Sequence, residues 1–169
     1  MLFCLYSNEN KYQVITIIKN EEVVDHAEYR SVVGALNYLA MVIRPDIAFA
    51  TGMVVRFVYK PGLAYWQAVK RILRYLKETA DYGLIFKRNY GADNLTLDVY
   101  CDADWAGDIG DRKSTSGFLV KYRGTAVGWK TGKQSSVALS TLEAEYIGAA
   151  TATKEVIWLR RLIEELGFK

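Results

Sequence analysis

The hydrophobic period of this chain changes once, near Asn89, and that change most limits what it can fold into. Upstream, apolar residues recur at helical spacing: Val69, Ile72, Leu73 and Leu76 stand at i, i+3, i+4 and i+7, one stripe of an amphipathic helix. Downstream, Leu95, Leu97, Val99 and Cys101 alternate with Thr96, Asp98, Tyr100 and Asp102, the period of a half-buried strand. The expected organisation is a divergent N-terminal segment (1–26), a mainly helical segment (27–88) and an α/β domain (95–169), with the boundary between Phe86 and Leu95. A chain of 169 residues can hold two small units, and 51% hydrophobic residues can build their cores.

Composition removes several classes. A net charge of +3 permits an anionic partner without demanding one. Cys4 and Cys101 with the one histidine, His26, cannot build a zinc site or a disulfide framework. Free thiols suit a reducing compartment. The apolar opening Met1–Tyr6 is too short for a signal-peptide core, and no apolar run reaches membrane-spanning length. A cytoplasmic or nuclear chain, neither secreted nor membrane-bound, is expected.

Local signals place the elements. Tyr12 to Ile18 reads as a strand, ended by Asn20-Glu21-Glu22. Ala27 to Lys77 reads as helical, divided by Pro45, which suits the first turn of a following helix, and by Lys60-Pro61-Gly62. Opposite the apolar stripe of the next helix lie Lys70, Arg71, Arg74 and Lys77, either a solvated surface or a face for nucleic-acid phosphates. Phe118 to Arg123 and Thr125 to Lys130 read as strands joined tightly at Arg123-Gly124, and Ser136 to Leu139 as a further extended piece. Ser140-Thr141-Leu142-Glu143 fits a capping box opening a helix that runs towards Leu166 and stops at Gly167.

Two acidic features carry potential chemistry. Tracing the last helix as Gly148, Ala149, Ala152, Val156, Leu159, Ile163 and Leu166 and extending it backwards lands on Glu145, so Glu143 is a cap and Glu145 an inward carboxylate. Its alternatives are a carboxylate at the helix dipole or one aimed at the sheet end. Asp102 ends the alternating strand, and Asp104, Asp108 and Asp111 follow it, making four aspartates in ten residues. Asp108 and Asp111, beside Gly107 and Gly110, suit turns. A calcium loop is excluded, because Ala106 stands at a ligand position and Lys113 where the closing Glu belongs. An acid at a strand end and another in the first turn of a helix on the same sheet make a reasonable magnesium pair.

Longer motifs are more specific. Val99 to Asp108 and Asp111 to Phe118, then Trp129-Lys130, Lys133-Gln134, Ser140-Thr141 and Glu143-Ala144-Glu145-Tyr146, resemble the ribonuclease H motifs of copia-type LTR retrotransposons. Tyr29 to Leu39, Arg44 to Ala50 and Lys70 to Lys77 resemble the end of that family's reverse transcriptase. The resemblance implies a ribonuclease H-like mixed sheet, opened by an antiparallel meander and packed with helices. It implies hydrolysis of the RNA strand of an RNA–DNA hybrid with two Mg2+ ions, Asp102 and Glu145 being catalytic metal ligands; no metal role is carried onto Asp104. Tyr65 and Glu78 depart from a usual His and Gly, and no paired-aspartate polymerase motif lies upstream of Tyr29. The family's third catalytic aspartate falls beyond Lys169. A polyprotein fragment inactive by itself, with an open sheet edge beside its first strand prone to self-association, is therefore expected. The alternatives are a non-catalytic module binding nucleic acid or protein, and a decayed remnant.

Overall fold

The computed structural model describes residues 24–86 and 96–167. The strand expected at Tyr12–Ile18, Cys4 and most of the N-terminal segment lie outside the described residues. The chain divides into two compact units, residues 1–83 and 84–169. No helix among the described residues is long and apolar enough to cross a membrane.

The described residues of the first unit are helical. Helix α1 spans His26–Val42 and starts where Asp25 accepts the N–H groups of Ala27 and Glu28 at 2.8 and 3.3 Å, satisfying two donors the first turn leaves orphaned. Its buried face, Tyr29, Val33, Leu36 and Ala40, keeps the spacing i, i+4, i+7, i+11. Pro45 opens a 3-10 turn, Pro45–Ile47, and helix α2 begins only at Ala48, running to Val55. Pro45 was expected to start the α-helix directly. Arg44, ahead of the proline, is held out of the helical region at φ -125° and ψ 70°, as the ring disfavours helix in its predecessor. Helix α3, Leu63–Glu78, buries Val69 and Ile72 in the α1–α2 core. Leu73 lies at the margin of that stripe and is 40% exposed. Tyr29, fully buried, donates its hydroxyl to Val54 O at 2.9 Å, and burial pushes this phenol up to about 12.

A buried ion pair closes the unit. The Arg44 guanidinium donates to Asp46 through Nε and Nη2, and to Thr79 O and Oγ1 at 2.9 and 2.7 Å. Tyr75 donates its hydroxyl to Asp46 Oδ2 at 2.9 Å. One side chain from the α1–α2 connection thus saturates the C-terminal end of α3. Burial works to raise the Asp46 carboxyl, but the hydrogen bonds from Arg44 and Tyr75 and the Arg44 charge outweigh it and hold it below the usual range.

The described residues of the second unit form a three-stranded antiparallel sheet, order β1-β2-β3, with a helix across it. Strands β1 (Leu97–Asp104), β2 (Thr115–Tyr122) and β3 (Thr125–Lys133) pair as successive neighbours, so the described β1 has a strand on one side only. Arg123 and Gly124 both have positive φ, 50° and 79°, the two-residue turn that suits the twist of a hairpin. β1 ends two residues later than its alternation indicates, β2 starts three residues earlier than expected, and β3 runs three residues further. The expected extended piece at Ser136–Leu139 is irregular, outside any strand. Helix α4, Thr141–Glu165, packs Ala152, Val156 and Leu159 on Phe118, Val120 and Leu97. Gly167, at φ 83°, closes it.

Candidate functional site

Strand β1 does not end at Asp102 as its alternation suggested. It runs through Asp104, so Asp102 and Asp104 are two residues apart on one strand and share a face. Asp104 is therefore held by the ladder rather than in a loop. Opposite Asp102 in register stands Gly117, which has no side chain to cover it. Asp102 is exposed, and its Oδ1 accepts the N–H of Ala103 at 2.9 Å. Burial, and after it the Asp102 charge, push the Asp104 carboxyl above its usual range. That carboxyl lies where any Cβ at residue 107 would stand, which accounts for Gly107.

The loop after β1 is tied down. Trp105 Nε1 donates to Ala138 O at 2.9 Å, and Ala106, with a φ of 54°, donates its N–H to Ser114 Oγ at 3.1 Å. Asp108 and Asp111 accept the N–H groups of Gly110 and Lys113, the turn chemistry expected of them. Both also pair with Lys133 Nζ, at 2.5 and 2.7 Å, and these contacts with Lys133 hold the two carboxyls low. Half-burial pulls the Lys133 ammonium down, but the two carboxylates outweigh it and hold it above the usual lysine range.

Helix α4 starts over the acidic end of β1. An ideal Cβ on Gly148 would stand 3.3 Å from Ser116 Cβ, 3.7 Å from Ala103 Cβ and 3.7 Å from Asp102 O, one tight contact and two ordinary ones, so the helix sits close against β1 and β2 and leaves no room for more than a methyl group. Ser140 Oγ accepts the N–H of Glu143 at 3.2 Å, and Glu143 Oε2 accepts the N–H of Leu139 at 2.7 Å. This is the expected capping box, with the carboxylate reaching one residue before the cap. Glu145 corrects the helical trace. It is exposed, and the inward residue of its turn is Ala144, at 0% exposure. Three residues before Gly148, Glu145 lies roughly 60° round the helix from it, at the margin of the packed stripe. The structure thus brings the turn of Glu145 to the strand end of Asp102 but leaves both carboxylates in solvent. Among the described residues no three His, Cys, Asp or Glu side chains converge as a metal group.

In the first unit, Lys70, Arg71, Arg74 and Lys77 are all exposed on α3. Lys70 Nζ sits 5.4 Å over the Trp66 ring, and Arg74 Nε donates to Lys70 O at 3.3 Å.

No family model matches the chain, and no solved structure matches it. Curated relatives do. The chain is 46% identical over 152 residues, 90% of its length, to the retrovirus-related Pol polyprotein from transposon TNT 1-94 of Nicotiana tabacum. It is 39% identical over 155 residues, 92% of its length, to that from transposon RE1 of Arabidopsis thaliana. The chain belongs to the Pol polyproteins of copia-type retrotransposons. It spans 11% and 10% of those two Pol proteins. It is also 50% identical over 131 residues to the secreted RxLR effector protein 161 of Plasmopara viticola, covering 78% of this chain and 90% of that protein. Within this Pol segment, the sequence shows Arg44, Ser114, Lys133 and Gln134 only as motif residues without a role. Arg44 reaches Thr79, 35 residues away, and Lys133 reaches Asp108, 25 residues away, beyond any local pattern.

Proposed function

We propose that residues 96–167 are the ribonuclease H-type part of a Pol polyprotein, directed at the RNA strand of an RNA–DNA hybrid, and that residues 24–86 are the end of its reverse transcriptase. One contact supports this: Gly148 seats α4 on the backbone at Asp102 and Ala103, so the turn carrying Glu145 begins at the acidic end of β1. Magnesium takes few protein carboxylates, several waters and substrate phosphate oxygens. Asp102 and Glu145 are the carboxylates assigned to hold it, and both are open to solvent and to a phosphate backbone. Bound there, the ion would neutralise charge on the scissile phosphate and lower the pKa of a coordinated water. Asp104 adds negative charge beside Asp102, and the ladder fixes both. Two carboxylates are fewer than a pair of ions needs, so ion binding is expected to exceed turnover.

The test is Mn2+ binding by electron paramagnetic resonance, with Mg2+ as competitor, alongside cleavage of a labelled hybrid. Asp102→Asn and Glu145→Gln are each expected to weaken Mn2+ binding about tenfold or more, while cleavage stays near background. Binding unchanged in both variants would remove the site. Robust cleavage abolished by Asp102→Asn would show the two carboxylates to be sufficient.

A second reading, a module that binds nucleic acid without catalysis, is favoured by the exposed basic face of α3. Charge reversal at Lys70 and Arg74 is expected to weaken binding equally for all duplex sequences, and to lower the salt slope by roughly one per lost phosphate contact. Unchanged affinity and slope would leave that face a solvated surface.

A further inference from the structure

We infer that Gln134 is a positioning residue that ties the turn of α4 carrying Glu145 to the acidic end of β1; this rests on the metal-site reading above. Gln134 follows β3 directly and is 6% exposed. Its side-chain Nε2 donates to Ala144 O at 2.8 Å, the carbonyl joined to the N–H of Glu145. Its backbone N–H donates to Ser114 O at 2.8 Å. Ser114, fully buried, accepts the N–H of Ala106 on its Oγ at 3.1 Å, two residues after Asp104. Two buried residues, Gln134 and Ser114, therefore stand between the two halves of the site. Three hydrogen bonds run from the peptide of Glu145 through Gln134 and Ser114 to the residue that follows Asp104-Trp105.

Stability alone is a poor reason for a glutamine here. Its Oε1 is buried and has no hydrogen-bond partner among the described residues, and an orphaned buried acceptor is destabilising. Ala144 O, inside the first turns of α4, is also placed to accept an intrahelical bond, so it does not depend on Gln134 for a donor. A methionine of similar length would fill the volume without an orphaned oxygen. What methionine could not do is hold the Ala144–Glu145 peptide at a fixed height over the strand end. Groups that orient metal ligands typically change affinity by about 10- to 100-fold when lost.

The experiment is Mn2+ titration of the full chain by electron paramagnetic resonance, paired with thermal unfolding. Gln134→Met is expected to lower Mn2+ affinity on the order of tenfold and broaden the bound-ion spectrum, with a thermal midpoint unchanged or raised. Ser114→Ala, which cuts the link to Ala106, is expected to lower affinity in the same way. Unchanged affinity in Gln134→Met, where Asp102→Asn does weaken binding, overturns the positioning role. An affinity loss that appears only with a fallen thermal midpoint also overturns it, leaving Gln134 a packing residue. If Asp102→Asn itself leaves Mn2+ binding unchanged, the metal-site reading fails first and this inference falls with it.

Discussion

Arg44→Met is expected to destabilise the helical unit by about 3–5 kcal/mol, the usual result of removing one member of a buried ion pair. The Arg44 and Asp46 side chains are 6% and 19% exposed, and the guanidinium also holds Thr79 O and Oγ1 at the end of α3. Without it, Asp46 keeps the Tyr75 hydroxyl and a backbone hydrogen bond but loses the Arg44 charge and hydrogen bonds that offset its burial. The pH dependence follows. In the unaltered chain Asp46 titrates below its unfolded value of about 3.9, so its stabilisation is complete above that pH and is lost as pH falls through the lower, folded value. In Arg44→Met that stabilisation is absent at neutral pH, so the gap between variant and parent should narrow as the solution is acidified. Hydrogen exchange of the α1 and α3 amides measures this unit apart from the sheet. A paired change, Arg44→Met with Asp46→Leu, should recover most of the loss, because apolar residues can replace a buried pair at little cost. Equal protection in Arg44→Met and the parent at neutral pH would show that the pair holds nothing.

Gly148→Leu is expected to have the largest effect on the sheet unit. The ideal Cβ already stands 3.3 Å from Ser116 Cβ, and the atoms beyond it have nowhere to go but into β1 and β2. Overpacking of this kind costs about 1–3 kcal/mol. In a unit of this size that lowers the thermal midpoint by roughly 4–8 °C per kcal/mol. It should also lift the first turns of α4 from Asp102 and Ala103, so Mn2+ affinity should fall with stability. Gly148→Ala is the informative control. A helix-interior Gly→Ala change gains up to about 1 kcal/mol of propensity, set here against one tight contact, so its midpoint should move little. A Leu variant as stable as the Ala variant would mean that α4 does not depend on close approach at this point.

Local rules carried a good part of this protein. Ser140 as a cap, Gly167 as a stop and Arg123-Gly124 as a hairpin turn are each set by the chemistry of a few adjacent residues, and a reader of the sequence can find such signals without a fold. The change of period near Asn89 separates the helices from the sheet for the same reason: burial on one face leaves a spacing in the chain. The position of Asp102 on a strand beside an acidic run was legible too.

Other features were decided only when distant segments met. Alternation marked where apolar residues stop, not where pairing stops, so β1 was read as ending at Asp102, although the ladder to Thr115 carries it through Asp104. Helical periodicity could not choose between Ala144 and Glu145 as the inward residue, because a packed stripe is wide enough for either. The choice fell to the packing of α4 on β1 and β2, where Ala144, Gly148 and Ala152 are the buried residues of the helix. Arg, Lys and Gln are mostly exposed, so nothing local marks Arg44, Lys133 and Gln134 for burial. They are buried or half-buried because Thr79, Asp108 and Ala144, brought from other segments, meet their donors, and such pairing leaves no periodic trace. The sequence alone determined the main helices, the β2–β3 hairpin turn and the capping box of the last helix, because each rests on neighbouring residues. The tertiary structure alone decided which polar groups leave water, because only partners brought from afar make that burial affordable.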